Sequence, residues 1–235
     1  MTAREMIVRL RSVLNKVDSR KYENLRIPAL DSALNDAVIT FVKFVTQPRI
    51  ARQLGYESSG RSIHDIRTLV REYNSTPIPD SDGLSSTLTL PEDFLFYAKC
   101  RSDIKKGECT KNVLCTYVDL DDDENDELSV SNFNWQVLNV RLTDKGLSFL
   151  HNGSFIVSTT RLTYLKQPAY IHNAQDYGDG TYTTGGGVVL TGSQDCDLPD
   201  HTHIEIVRLA ALLLSGDLQM PDYQVKQANY QLSIQ

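Results

Sequence analysis

The chain has no long apolar run. Its longest, Leu209–Leu214, falls far short of the roughly 20 residues that a membrane-spanning helix needs, so no membrane association is expected. Cysteine is scarce. Cys100, Cys109, Cys115 and Cys196 match no paired C-x-x-C spacing, which argues against a zinc ribbon or a dithiol redox motif and predicts reduced thiols. The nucleophile-elbow, dinucleotide and P-loop signatures are also missing. Gly185-Gly186-Gly187 lacks both the strand–glycine–helix setting and the lysine that a phosphate cradle requires. No nucleophile, base and orienting group stand in a recognisable set, so neither catalysis nor a cofactor is expected. Proline and glycine together make up 21 of 235 residues and 40% of the chain is hydrophobic, too little of the former and too much of the latter for global disorder.

Charge is present but unevenly spread. The net charge is −6, yet residues 1–78 carry 13 basic and 8 acidic side chains while residues 79–235 carry 11 and 22. A two-signed chain suits electrostatic docking onto partners or onto copies of itself better than wrapping nucleic acid.

The ends read as helical. Thr2 and Glu5 form a capping box, and Met6, Ile7, Leu10, Val13, Leu14 and Val17 follow at helical spacing, predicting a helix over 3–17. Ile27-Pro28 opens a second helix with Leu30, Leu34, Ala37, Val38, Phe41 and Val45 on its apolar stripe. Ser62 and Asp65 suggest a third, running through Ile66, Leu69, Val70 and Tyr73. Residues 75–87 are loop by composition. The period then changes to that of strands, with candidates at the run after Pro91, at Asn112–Leu120, at Asn134–Leu142 and at Ser154–Leu165. His151-Asn152-Gly153 is a hairpin signal. Near the C-terminus, Ile206, Val207, Ala210, Leu213 and Leu214 form the buried stripe of a last helix that Gly216 ends.

The expected fold is therefore α+β. It comprises an N-terminal helical region (1–75), a small central antiparallel β module (88–168), an extended insertion loop (173–197), a C-terminal helix packing on the helical region (198–216) and a C-terminal arm (217–235).

Three features are candidate sites. The run Asp119–Glu127 is strongly acidic. Asp121, Asp123 and Asn125 fit the first ligand positions of a calcium loop, but Asp126 stands where glycine is needed and Asn132 where glutamate is. A metal site is thus the weak alternative to an exposed acidic hairpin tip that offers Asp121, Asp122, Asp123 and Glu124 to a basic neighbour. The two irregular segments, 173–197 and 217–235, read as assembly arms with Tyr177, Tyr182, Tyr223 and Tyr230 as amphipathic anchors. His201, His203 and Glu205 look like a ligand set, but on a helix residues two apart point in different directions, so they are not expected to share an ion.

The order of short motifs carries a resemblance. Leu90-Pro91-Glu92-Asp93-Phe94 precedes the β region, Thr163-Tyr164-Leu165-Lys166-Gln167-Pro168 ends it, and His203-Ile204-Glu205-Ile206-Val207-Arg208-Leu209-Ala210 opens the last helix. Over about residues 1–215 the chain resembles the head–tail connector (adaptor, or tail-tubular-like) proteins of short-tailed phages, especially the neck ring proteins of crAss-like phages infecting gut Bacteroidales. None of these motifs is catalytic. The resemblance implies a structural virion protein, assembled in the bacterial host cytoplasm and located in the neck. It would form a homo-oligomeric ring, usually twelvefold, between portal and tail, with the helices as ring body. Its implied partners are itself, the portal protein, the adjacent neck or tail ring proteins and, non-specifically, packaged double-stranded DNA in the channel. Such proteins can stay monomeric until the portal templates them. The acidic run and the 173–197 insertion depart from a minimal adaptor. A non-viral binding or scaffold module is the alternative that the same pattern allows, with an uncharacterised enzyme behind it.

Overall fold

The computed structural model describes residues 1–15, 25–46, 64–118 and 131–217, together with Gln224 and Gln227. The chain divides into two compact units, Met1–Leu69 with Pro168–Gln235, and Val70–Gln167.

The first unit is built on three helices, α1 (Ala3–Asn15), α2 (Ile27–Thr46) and α3 (His203–Asp217). The capping box that starts α1 is formed in both directions: the Glu5 amide donates to Thr2 Oγ1 at 3.3 Å and the Thr2 amide to Glu5 Oε2 at 3.0 Å. Met6, Leu10 and Leu14 on α1, Leu30, Leu34 and Phe41 on α2, and Ile206, Val207 and Ala210 on α3 are buried, as their spacing predicts. Leu213 and Leu214, expected on the same stripe, are only half-buried, and Leu209 and Ala211 are buried instead.

The second unit is one sheet of eight strands: β1 (Val70–Ser75), β2 (Ile78–Pro79), β3 (Ser85–Leu88), β4 (Phe94–Lys106), β5 (Cys109–Tyr117), β6 (Leu138–Thr143), β7 (Gly146–Leu150) and β8 (Ile156–Lys166). Their spatial order is β1-β8-β4-β5-β6-β7-β3-β2. Every neighbouring pair is antiparallel except β5 with β6, which is parallel. Register irregularities in β4 against β8, at Phe94/Phe96, Tyr97/Lys99 and Asp103/Ile104, add local bend and twist. Alternation decides which side chains enter the core. Cys100, Ser102 and Ile104 point in from β4 with Val113 and Cys115 from β5, while Arg101, Asp103 and Lys105 point out.

This architecture corrects the expected fold. The dominant element is a large curled mixed sheet, a half-barrel, and the helices are few; the helical ring body with a small antiparallel module is overturned. Three local misreadings account for the difference. Val70 and Tyr73 lie on β1, paired to β8, and not on a third helix: among the described residues before them, 64–66 are α-helical and Arg67–Leu69 form a 3-10 turn. Residues 75–87, rich in turn-forming types, contain β2 and most of β3. At His151–Gly153 the turn exists, with Asn152 at φ 50° and Gly153 at φ 67°, but its flanking strands do not pair with each other. β7 joins β6 and β3, whereas β8 joins β1 and β4.

Residues 173–197 are not an extended arm either. After β9 (His172–Asn173) the chain forms β10 (Thr181–Thr183), β11 (Val189–Thr191) and β12 (Ser193–Gln194), which pair as two short antiparallel sheets, β10 with β11 and β12 with β9. All four cysteines are free thiols.

Candidate functional site

The outer face of the sheet carries a groove of about 430 Å³ across β1, β8, β4 and β5. Antiparallel register builds it row by row. Asn74, Arg161, Arg101 and Leu114 face one another in sequence across the four strands. The next row holds Glu72, Thr163 and Lys99, and the row on the other side Thr159, Asp103 and Asn112. Two arginines therefore stand directly opposite on adjacent strands, where like charges are destabilising.

Each guanidinium is steered by an asparagine carbonyl. Arg101 Nη1 donates to Asn112 Oδ1 at 3.4 Å, and Arg161 Nε donates to Asn74 Oδ1 at 3.4 Å. Asn112 is itself oriented, because its Nδ2 donates to Asp103 Oδ1 at 2.7 Å. Among the described residues, neither arginine and not Lys99 forms an ion pair.

At one end of the same sheet two sequence motifs interlock. Phe94 pairs with Lys166 in register and its ring stacks on Tyr164 with centroids 5.8 Å apart. The Tyr164 hydroxyl donates to Asp93 Oδ1 at 2.8 Å, the Gln167 amide donates to the Asp93 carbonyl at 2.6 Å, and the Phe94 amide to that of Pro91 at 3.1 Å. The carboxylate and burial hold the Tyr164 phenol above its usual range, burial being the larger cause.

A third polar cluster lies inside the first unit. Asp31 is fully buried on α2. Its Oδ2 accepts from the Tyr182 hydroxyl at 2.7 Å and from the Asn173 amide at 3.2 Å, while its Oδ1 has no hydrogen-bond partner among the described residues. One turn later, Asn35 exchanges two hydrogen bonds with the Ile171 backbone, both at 2.8 Å. These groups fasten the 171–182 segment to α2. Burial pushes the Asp31 carboxyl upward, against the opposing pull of the Tyr182 and Asn173 hydrogen bonds. A carboxyl with a raised folded pKa contributes stability that is fully present below its unfolded value near 3.8 and is lost as pH rises through the folded value. The Asp31→Asn variant should therefore gain melting temperature relative to the wild type as pH rises from about 3.8 toward neutrality. Parallel melting-temperature curves for the two proteins across that window would contradict the assignment.

The residues singled out from sequence are placed as follows. Asp121, Asp122, Asp123, Glu124 and Asn125 lie outside the described residues, as do Tyr223 and Tyr230. The strands on either side of that run, β5 and β6, pair parallel. Tyr182 is a core residue committed to Asp31, and half-buried Tyr177 meets it edge-on at 5.7 Å. His201 contacts Asp65 at 2.8 Å. Buried His203 donates from Nε2 to the Leu198 carbonyl at 2.8 Å and turns Nδ1 to the Met1 amino group at 3.0 Å. The two histidines thus face different partners.

Sequence reasoning passed over the groove and also Trp135. This one tryptophan is 71% exposed, on a turn whose Asn134 and Trp135 amides donate to Asn132 Oδ1 at 2.8 and 3.3 Å. Lys111 backs the turn, 4.6 Å from the Phe133 ring centroid and 3.2 Å from the Phe133 carbonyl. No protein-family model matches the chain, and a search of curated proteins also finds no match.

Proposed function

We propose that this chain is a structural protein of a phage neck, forming a homo-oligomeric ring between portal and tail through which DNA passes. The observation that carries the reading is the interlock of Asp93 and Phe94 with Tyr164, Lys166 and Gln167. The two β-region motifs behind the resemblance are far apart in sequence, yet they form one joint. The third motif starts α3, which packs on both α1 and α2. Displayed Trp135 is the type of side chain that anchors an interface.

The test is sedimentation of the purified chain alone and with the portal protein of its own phage. The reading expects a slow species alone and a stoichiometric fast-sedimenting complex with the portal, with Trp135 emission as a local reporter of contact. No association with portal or neighbouring neck proteins would contradict it.

A further inference from the structure

We propose that the Arg101–Arg161 pair is a docking site for a carboxylate side chain on an acidic segment of a partner protein. The site's chemistry is independent of the neck assignment.

Three observations lead here. First, Arg101 and Arg161 are register partners on β4 and β8, with Cβ atoms about 5 Å apart by the geometry of such pairs. That arrangement costs stability unless an anion lies between the two charges, and no carboxylate among the described residues does so. Second, neither of the two acids in the groove, Asp103 and Glu72, forms an ion pair with the two arginines among the described residues. Asp103 is engaged by Asn112, which turns its carbonyl and not a charge toward Arg101. Glu72 pairs in register with Thr163 on β8, diagonal to Arg161. Third, Asn74 and Asn112 brace the guanidiniums from opposite sides of the row, leaving their remaining N–H groups for an outside acceptor. A carboxylate can take two such donors at once, in a charge-assisted and directional contact.

The flanking acids choose between ligand classes. A phosphodiester backbone laid across the groove would bring successive phosphates against Asp103 and Glu72. A polypeptide can instead place one carboxylate over the arginines and polar or basic groups over the flanking acids. Charge complementarity thus favours an acidic protein segment over nucleic acid.

The experiment uses the full chain and a short fluorescein-labelled peptide whose glutamates are spaced by serines and lysines, at low salt, read by fluorescence anisotropy, with an oligothymidylate of equal length as the second probe. The peptide should bind. Arg101→Gln and Arg161→Gln should each weaken it by about tenfold. Neither change should lower the melting temperature, because each removes a like-charge contact. On peptide addition, the side-chain amide signals of Asn74 and Asn112 should shift in the NMR spectrum of the wild type. Absent binding, or binding that survives the double substitution, would overturn the proposal. So would tighter binding of the oligothymidylate with the same arginine dependence, which would make the groove a nucleic-acid site. A rise in peptide affinity on neutralising Asp121, Asp122 and Asp123 would overturn it too, since the chain's own acidic run would then be the occupant.

Discussion

Val207→Asp should unfold the first unit, while Arg208→Ala, one residue along α3, should leave its melting temperature nearly unchanged. Val207 is 1% exposed among Ile206, Ala210 and the apolar faces of α1 and α2, whereas Arg208 is exposed. A carboxylate there loses its hydration. An unpaired buried charge costs about 3–5 kcal/mol, a large share of the 5–15 kcal/mol that typically holds a domain together. The arginine change falls in the surface class, within about 0.5 kcal/mol. Thermal melts followed by helical circular dichroism check the pair. Equal destabilisation would contradict the phase of α3 and its packing between the other two helices.

Gly146→Ala should be the most damaging single-methyl change in the sheet. Gly146 starts β7 at φ 137°, in the region that favours glycine, and a Cβ there would collide with the backbone carbonyl of Leu88 on β3. The obstacle is main chain, not a side chain that can swing aside. β7 would have to move off β3, and Leu88 and Leu147, which are paired and fully buried, would lose contact. Backbone strain of about 1–3 kcal/mol and packing losses of about 2–5 kcal/mol then add. Gly107→Ala is the control. It also has positive φ, at 59°, but nothing lies within 4 Å of its Cβ position, so only the left-handed conformation costs, about 1–2 kcal/mol. The melting temperature of the Gly146 variant should fall several times further than that of the Gly107 variant. Similar falls would mean that β3 and β7 are not held as described.

What was legible in the sequence was local. The capping box at Thr2 and Glu5 and the stripe of α2 depend on neighbours three and four residues away, and both are formed. The alternation in β4, β5 and β8 was readable for the same reason. What escaped is set by distant partners. Ile66, Leu69, Val70 and Tyr73 have helical spacing, but Val70 and Tyr73 are claimed by Leu165 and Leu162 of β8. The parallel pairing of β5 with β6 leaves no trace in alternation. Asp31 and Asn35, which the apolar stripe of α2 passes over, are the fastening points for the segment that composition marked as an arm. The groove is the extreme case. Each of Asn74, Lys99, Arg101, Asn112 and Arg161 looks like an ordinary solvated strand residue, and only the order of β1, β8, β4 and β5 brings them together.

The proposed neck role is tested most directly by cryo-electron microscopy of the native assembly that contains this chain. The account predicts a closed ring of this chain between portal and tail, around the DNA passage, with the same patch pair repeated at every subunit boundary. Neck density that excludes the curled eight-stranded sheet, or virions from which the chain is missing, would contradict it.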